Sequence, residues 1–261
     1  MSTSRTHFAV EGPIAFLTFD RPEARNAMTW DMYEALVDAC QRVDDEDAVR
    51  VFVMRGAGGK AFVAGTDISQ FTRFRTREDA IAYERQLDEA IDRIERVSKP
   101  TIAQVEGVAA GGGCMIALAC DFRICTADAQ FGVPVARTLG NCLSAANCAR
   151  IVDLIGPARF KDLMFTGRLI DASEADALGL VTHMAEPTAI DDAVRELAST
   201  IAANAPLTIR ATKETVRRTQ AARRLDSTGV DDLIAMCYGS EDFKEGVAAF
   251  LAKRPPLFRG R

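Results

Sequence analysis

Two short segments rich in small residues carry the clearest chemical signal in this sequence. Residues 60–67 read KAFVAGTD and residues 107–114 read GVAAGGGC. In both, small residues stand where a strand ends and a helix can begin, so backbone N–H groups are unshielded and can point at a ligand oxygen. Two such donors can form an oxyanion hole, and a helix beginning at Gly112 or Gly113 would add the positive end of its dipole. The same glycines could instead serve tight turns and close helix packing.

Other nucleotide-binding and catalytic motifs fail on their spacing. Residues 58–60 (GGK) suggest a phosphate-binding loop, but Met54 stands where the first glycine belongs and Ala61 where Ser or Thr should bind magnesium. The G-x-G at residues 111–113 continues into Ile116 instead of a third glycine, so the dinucleotide fingerprint is incomplete. The sequence also contains no G-x-S-x-G nucleophile elbow.

Histidine and cysteine usage argues against a histidine-dependent triad, a metal centre and a disulfide framework. The only histidines, His7 and His183, fall near a strand edge and on a late strand, where a structural role is favoured over a general base. The seven cysteines contain no C-x-x-C pair and are odd in number. Small buried thiols fit this usage better. The cysteines are Cys40, Cys114, Cys120, Cys125, Cys142, Cys148 and Cys237.

Alternating strand and helix signals must position the two glycine-rich segments. Apolar runs at residues 14–19 and 49–54 predict buried strands. Between them, Thr29 can cap a helix whose apolar residues recur every three or four positions. That face consists of Met32, Leu36, Cys40 and Val43. A second amphipathic helix is predicted over residues 78–97, and a third strand over residues 101–105.

The alternation continues past the second glycine cluster. A short apolar helix to Ala119, a strand at residues 122–125 and a turn at residues 132–134 follow, and a later strand is expected at residues 180–183. Strands that alternate with helices predict an α/β fold with crossover connections. From about Leu143 onward helical signals dominate. The Arg- and Ala-rich tail predicts a helical appendage, of a kind that often docks on a neighbouring subunit.

Four motifs occur in a recognisable order along the chain. They are RPEARNAM at residues 21–28, KAFVAGTDI at 60–68, VEGVAAGGGC at 105–114 and AQFGVP at 129–134. Together with SEDFKEGVAAFLAKR at residues 240–254, they resemble the enoyl-CoA hydratase/isomerase (crotonase) superfamily over nearly the whole chain.

The resemblance implies a fold, an assembly and a ligand. The fold would be a crotonase-like α/β spiral of ββα units over residues 1–200, followed by a helical C-terminal region over residues 201–261 that forms homotrimers or dimers of trimers. The ligand would be an acyl-CoA thioester, with no metal and no cofactor beyond the CoA moiety of the substrate. On the family's pattern, the oxyanion hole falls on the backbone N–H groups of Ala64 and Gly112, which would stabilise a thioester enolate.

The resemblance also implies a set of ligand contacts. Residues 23–27 and residues 61–68 match the segments through which family members contact the CoA nucleotide and pantetheine, largely with backbone atoms. Carried over by position, these residues are Glu23, Ala24, Arg25, Ala27, Ala61, Ala64, Gly65, Thr66, Asp67 and Ile68. Asp67 is also expected to cap the helix that follows it. Phe250 and Lys253 fall near family positions that reach the CoA of an adjacent subunit.

The acid–base positions depart from the family's pattern. Hydratases of this family use one glutamate just after the glycine cluster and one just after the F-G-x-P turn. Here those positions are Met115 and Val135, which can line an acyl pocket but cannot transfer a proton. Isomerisation, decarboxylation, carbon–carbon cleavage and atypical hydration stay open. Decarboxylation gains support because departure of CO2 needs an oxyanion hole and a dry pocket more than a strong base.

Polar residues that follow Val135 supply candidate replacements. Asn141 could orient a water or a carboxylate, and Arg137 could bind an acidic acyl group with both guanidinium nitrogens. Cys142 could act as a nucleophile only if a cation or a helix terminus lowered its pKa. Arg137 could equally form a structural ion pair. The alternative function is a catalytically degenerate CoA-binding partner or scaffold subunit.

Length and composition exclude several classes of protein. The 261 residues suit one large domain or a domain with an appendage, and 48% hydrophobic and 26% charged residues are typical of globular proteins. A net charge of -5 argues against nucleic acid or an anionic membrane as a partner. The longest uncharged apolar stretch, residues 107–120, is shorter than the roughly 20 residues of a membrane span. The start of the chain lacks the apolar run of a signal peptide, so a cytoplasmic location is expected.

Overall fold

Two β-sheets and the helices that connect them build the core of the protein. The computed structural model describes residues 5–74, 76–225 and 229–261. In chain order the elements are β1 (Thr6–Glu11), β2 (Ile14–Phe19), α1 (Trp30–Asp45), β3 (Val51–Gly56), β4 (Ala61–Val63), α2 (Arg77–Glu95), β5 (Thr101–Val105), β6 (Val108–Ala110), α3 (Gly112–Ala119), β7 (Phe122–Thr126), β8 (Gln130–Gly132), α4 (Val135–Thr138), α5 (Ala145–Thr166), β9 (Ile170–Asp171), α6 (Ala172–Ala177), β10 (His183–Ala185), α7 (Ile190–Ala203), α8 (Pro206–Ala221), α9 (Asp231–Tyr238) and α10 (Glu241–Leu251).

The order of the strands shows a spiral. One sheet has the strand order β1-β2-β3-β5-β7-β10, and the other has the order β4-β6-β8-β9. Successive turns of the chain therefore place one strand in each sheet: β3 and β4, then β5 and β6, then β7 and β8. Neighbouring turns pair in parallel in both sheets. This arrangement confirms the predicted α/β spiral of ββα units.

Several predicted elements have their expected positions, and others do not. The strands predicted at residues 14–19 and 101–105 are β2 and β5 with the same bounds. All four residues of the predicted apolar face are buried in α1. The strand predicted at residues 180–183 is wrong in position, because β10 begins only at His183. Strands β4, β6 and β8 were not predicted, since three residues are too few to show a period.

The larger sheet is covered on both faces. Side chains alternate along a strand, so Leu17 of β2 packs in the main core with Leu36 of α1. Phe16, the residue before it, packs on the opposite face with Val194 of α7. Burial of both faces explains why this strand reads as a continuous apolar run and not as an alternating one.

Contacts at both ends of α3 hold the glycine cluster in place. A Cβ on Gly113 would lie 2.0 Å from the carbonyl oxygen of Val63, so only glycine permits this approach of α3 to β4. Beyond the other end of the helix, the buried Arg123 guanidinium donates to the carbonyl oxygens of Ala117 at 3.2 Å and Cys120 at 2.5 Å. These bonds add to the pairing of carbonyl groups at the end of α3, where the Ala117 oxygen also accepts the Cys120 N–H at 3.3 Å.

All seven cysteines are free thiols, as their usage predicts. Cys40, Cys114, Cys120 and Cys125 are buried. Across the residues that the structure describes, no helix combines the length and the apolar composition needed to cross a bilayer.

Candidate active site

A cavity of about 550 Å³ opens where the loops after β2 and β4 meet α2, α3 and the segment after β8. Its wall includes most of the residues implied by the resemblance. These are Ala24, Arg25, Ala27, Ala64, Gly65, Thr66, Asp67, Ile68, Gly112, Met115, Val135 and Phe250. Asn141, predicted as a candidate catalytic residue, also lies in the wall.

Four residues of the predicted site lie outside this wall. Glu23 has an exposed side chain 3.8 Å from the guanidinium of Arg21, Ala61 is buried within β4, and Lys253 is exposed. The expectation that Arg137 binds an acyl group is corrected by the structure. Arg137 is exposed on the short helix α4. Val135 and Thr138 of the same helix line the cavity, but Arg137 does not.

The loop after β2 is held against the start of β4 by Asn26. This side chain is completely buried, and its Nδ2 donates to the carbonyl oxygens of Ala61 at 2.8 Å and Ala57 at 3.0 Å. Its Oδ1 accepts a hydrogen bond from the Arg21 N–H at 2.9 Å. The backbone φ of 57° is left-handed, a conformation that asparagine adopts more readily than most residues. Asn26 therefore fixes the loop whose residues form part of the cavity wall.

Arg21 and Asp67 connect this loop to the loop after β4. Arg21 Nη1 donates to Asp67 Oδ2 at 2.7 Å and to the carbonyl oxygen of Ala27 at 3.0 Å. Asp67 Oδ1 accepts from the Ser69 N–H at 3.0 Å, which confirms its predicted capping role. Partial burial raises the pKa of Asp67, but the hydrogen bonds from Ser69 and Arg21 lower it further, so the net shift is downward.

The backbone N–H of Ala64 is not available to a ligand. It donates to the carbonyl oxygen of Arg25 at 3.0 Å, so the expected donor role of Ala64 is wrong. The N–H of Thr66, two residues later, is not used in the pairing of this loop with the loop after β2. Met28 N–H donates to the carbonyl before Thr66 at 2.8 Å, and Met28 O accepts from the N–H after Thr66 at 2.9 Å. A parallel bridge of this kind leaves the N–H of the central residue facing away from its partner.

Gly112 contributes a second N–H to the wall of this cavity. As the first residue of α3, its N–H has no acceptor within the helix. A Cβ on Gly112 would lie 2.5 Å from Tyr33 Oη and 3.3 Å from Thr66 Oγ1, so the two loops are in contact here. Thr66 and Gly112 therefore carry N–H groups on adjacent backbones in the cavity wall.

A row of hydroxyl groups supports Thr66. Its Oγ1 lies 2.9 Å from Tyr33 Oη and 3.1 Å from Tyr83 Oη. Burial raises the pKa of both tyrosines, so they stay neutral near pH 7. The row fixes the side chain of Thr66, and with it the orientation of the peptide that carries its N–H.

Glu84 of α2 places a carboxyl group in the cavity wall. The residue is 2% exposed, and its Oε1 accepts a hydrogen bond from Tyr238 Oη. Its Oε2 is buried and has no hydrogen-bond partner among the described residues. Burial and the charge of Asp88 raise the pKa of Glu84, to about 8, although hydrogen bonds from Tyr238 and from the backbone of Ser144 lower it. Glu84 is therefore mostly neutral at pH 7.

Asn141 extends this group of polar side chains. Its Nδ2 donates to Tyr238 Oη at 2.9 Å, and its buried Oδ1 has no partner among the described residues. Sequence analysis identified Asn141 but not Glu84 or Tyr238. One signal was present: Glu84 shares the apolar face of α2 with Leu87 and Ile91, at spacings of three and four. A glutamate on such a face is buried by the fold and needs a partner.

The remaining candidates around the cavity offer no further acid or base. Met115 is 0% exposed and Val135 is 8% exposed, and both contribute apolar surface to the wall. The sulfur of Cys237 and burial both raise the pKa of the Cys142 thiol. The condition under which Cys142 could serve as a nucleophile is therefore not met.

Comparisons with known proteins identify a family that the chain matches over most of its length. The sequence profile of the enoyl-CoA hydratase/isomerase family matches residues 9–261. A crotonyl-CoA hydratase from Syntrophomonas wolfei is 34% identical over 255 residues, which cover 95% of each protein. A solved structure of methylmalonyl-CoA decarboxylase in complex with 2-nitronate-propionyl-CoA is similar with a TM-score of 0.90 at 27% identity, over 99% of each chain. An enoyl-CoA hydratase/carnithine racemase from Magnetospirillum magneticum has a TM-score of 0.80 at 34% identity, over 100% of this chain and 97% of that chain.

Proposed function

The chain belongs to the enoyl-CoA hydratase/isomerase family, and from this premise we propose that it decarboxylates a 2-carboxyacyl-CoA thioester through an enolate. As a member of this family, it is an acyl-CoA-processing enzyme. The choice among the reactions of such enzymes rests on the residues of the cavity.

The N–H groups of Thr66 and Gly112 are the proposed oxyanion donors. They lie on adjacent backbones, and Gly112 begins α3, whose dipole adds positive potential at that end. Donors placed where negative charge develops stabilise the enolate more than the neutral thioester. This assignment replaces Ala64 by Thr66, because the N–H of Ala64 already donates to Arg25.

The observation that carries decarboxylation is the apolar wall at Met115 and Val135. Adding water to a double bond needs a base that activates water and an acid that protonates carbon. Neither side chain supplies these groups. A substrate carboxylate against this wall loses hydration, and its departure as CO2 moves the charge to the thioester oxygen. The similarity to a methylmalonyl-CoA decarboxylase supports the same reaction.

The CoA portion of the substrate would lie along the loops after β2 and β4. Ala24, Ala27 and Ile68 offer small or apolar surface there, and Arg25 supplies positive charge for the phosphates. Phe250 of α10 borders the same cavity, and half of its surface remains exposed for further contacts.

A panel of CoA thioesters followed by mass spectrometry tests the proposal. The panel holds malonyl-type, enoyl, 3-hydroxyacyl and 3-oxoacyl thioesters. Loss of CO2 from a malonyl-type thioester, with no gain of water on the enoyl thioesters, is the expected result. Gain of water by an enoyl thioester at a comparable rate would establish atypical hydration in its place. Binding of the whole panel without turnover would support the scaffold function.

We also propose that copies of this chain associate through the C-terminal helices. Large apolar side chains are exposed there, including Leu207 and Val216 of α8 and Leu233 and Met236 of α9. Exposed apolar residues in such number are typical of protein–protein contacts. Light scattering should give a mass that is a multiple of three chains, and Leu207→Glu with Val216→Glu should lower it. A monomeric mass for the unmodified protein would exclude this assembly.

A further inference from the structure

The cavity contains one buried carboxyl group that the family's pattern does not account for. Resting on the proposed function, we infer that Glu84 is a catalytic residue that transfers the proton to C2 of the thioester enolate, with Tyr238 and Asn141 as its positioning residues. Three observations carry this inference: the place of Glu84 in the wall, the state of its two oxygens, and the contacts that orient it.

The position of Glu84 is unusual for a glutamate. It lies on the apolar face of α2 and is 2% exposed, yet it forms no ion pair within the described part of the chain. Burying such a group without a cation is costly, so a purely structural role would be better served by an apolar residue. Its place in the wall of the same cavity as Thr66 and Gly112 supplies a functional reason for keeping it.

The two carboxyl oxygens of Glu84 have different surroundings. Oε1 accepts a hydrogen bond from Tyr238 Oη, so this oxygen is held in place. Oε2 is buried without a partner among the described residues. Since Oε2 forms no hydrogen bond among the described residues, it is the oxygen available to carry the proton of the neutral acid.

Burial keeps Glu84 protonated near neutral pH, and six titratable groups lie around it. They are Asp88 on the same helix, Tyr33 of α1, Tyr83 of α2, Tyr238 of α9, Cys142 of the loop before α5 and Cys148 of α5. None of these groups is a cation, and the burial-raised pKa of Asp88, about 6, limits how much negative charge it adds below that pH. Burial raises the pKa of Glu84 to about 8, which suits an acid that works at pH 7.

The step balances with the groups present. The bond between C2 and the substrate carboxylate breaks, CO2 leaves, and the electron pair moves to the thioester oxygen as an enolate. The O–H bond of Glu84 then breaks as a C2–H bond forms, and the enolate electrons return to the carbonyl. Glu84 is left as a carboxylate and regains its proton from solvent. No oxidant, metal or further reactant is needed.

Tyr238 and Asn141 orient the acid without touching the reacting carbon. Tyr238 donates to Glu84 and accepts from Asn141 Nδ2 at 2.9 Å, so the three side chains form one chain of hydrogen bonds. Because Tyr238 donates to the carboxyl group, its loss should raise the pKa of Glu84 further.

Hydrogen exchange at C2 tests Glu84 without requiring the natural substrate. The unmodified protein is incubated with butyryl-CoA in D2O, and deuterium at C2 is followed by NMR. In this direction the Glu84 carboxylate removes the C2 proton, so the exchange rate should rise with pH up to about pH 8. Glu84→Gln should lower the rate by at least about 100-fold, the usual scale for loss of a general acid–base. The matched control is Glu89→Gln on the exposed side of the same helix, which should exchange at the unmodified rate. Butyryl-CoA affinity, measured by calorimetry, should be equal in all three proteins.

The outcomes separate the two proposals. Exchange by the unmodified protein that persists in Glu84→Gln would overturn the role of Glu84 and leave the enolate function standing. An unmodified protein that binds the thioester but neither exchanges C2 hydrogen nor turns over the panel would overturn both. Tyr238→Phe provides a second readout, because the midpoint of the pH–rate profile should move upward by about one pH unit. An unchanged midpoint would remove Tyr238 from the positioning role.

Discussion

Tyr238 donates a hydrogen bond to Glu84 across 154 residues of chain. The bond joins α9 to α2 beside the cavity, and it is surrounded by aromatic contacts. The ring centroid of Tyr238 lies 6.1 Å from that of Tyr83 and 4.7 Å from that of Phe243. The C-terminal helices were predicted to serve assembly. Their contacts with α2 mean that they also complete the candidate site within one chain.

Glu84→Gln should make the protein more stable at alkaline pH. In the unfolded chain this glutamate ionises near pH 4.5, whereas burial holds its folded pKa at about 8. A raised pKa favours folding only below the unfolded value, and this contribution is lost as the pH rises through the folded value. Because Gln carries no charge, the variant escapes a loss of as much as about 5 kcal/mol above pH 8. Urea unfolding at several pH values measures the difference.

The difference should disappear near pH 4, where Glu84 is neutral in both states. Glu89→Gln, an exposed change on the same helix, should follow the unmodified protein at every pH. Equal stability of Glu84→Gln and the unmodified protein at pH 8 would show that the pKa of Glu84 is not raised.

Loss of the Gly112 N–H should slow the reaction strongly. Proline is tolerated at the first position of a helix and removes this donor. Since a Cβ here would lie 2.5 Å from Tyr33 Oη, the comparison is made in a Tyr33→Phe background. There, Gly112→Pro should lower kcat about 100- to 1000-fold relative to Gly112→Ala, which keeps the N–H. Equal kcat in the two variants would exclude Gly112 as an oxyanion donor.

Asn26→Ala should destabilise the loop after β2. The substitution leaves the carbonyl oxygens of Ala57 and Ala61 and the N–H of Arg21 without their partner, which should lower the free energy of unfolding by about 2 to 4 kcal/mol. Asn26→Gly is the matched control, because glycine also loses the amide but adopts φ of 57° without strain. It should be about 1 kcal/mol more stable than Asn26→Ala by urea unfolding. Near-native stability of both variants would contradict this account.

Arg137 and Asn141 should respond differently to truncation. Asn141→Ala removes the donor to Tyr238, so kcat should fall by roughly tenfold with little change in affinity for butyryl-CoA. Arg137→Ala removes an exposed side chain outside the cavity wall and should keep kcat and KM within about twofold. A large increase in KM for Arg137→Ala with an acidic thioester would restore its expected role in binding the acyl group.

Local patterns were sufficient to predict the class of fold and the family. Apolar strands and amphipathic helices can be recognised from the spacing of apolar residues within short stretches of sequence. The glycine-rich motifs are likewise short and contiguous, so their order along the chain can be read directly. The capping role of Asp67 was likewise readable, because a cap bonds to the backbone two or three residues away.

Tertiary structure alone decided which groups of the site are free to act. Ala64 and Thr66 are equivalent by sequence as backbone donors, but only the folded chain places the Arg25 carbonyl against the N–H of Ala64. The pKa of Glu84 depends on burial by α9 and on a hydrogen bond from Tyr238, 154 residues away. Availability of an N–H and the proton affinity of a carboxyl group are properties of surroundings, and distant segments of the chain supply those surroundings.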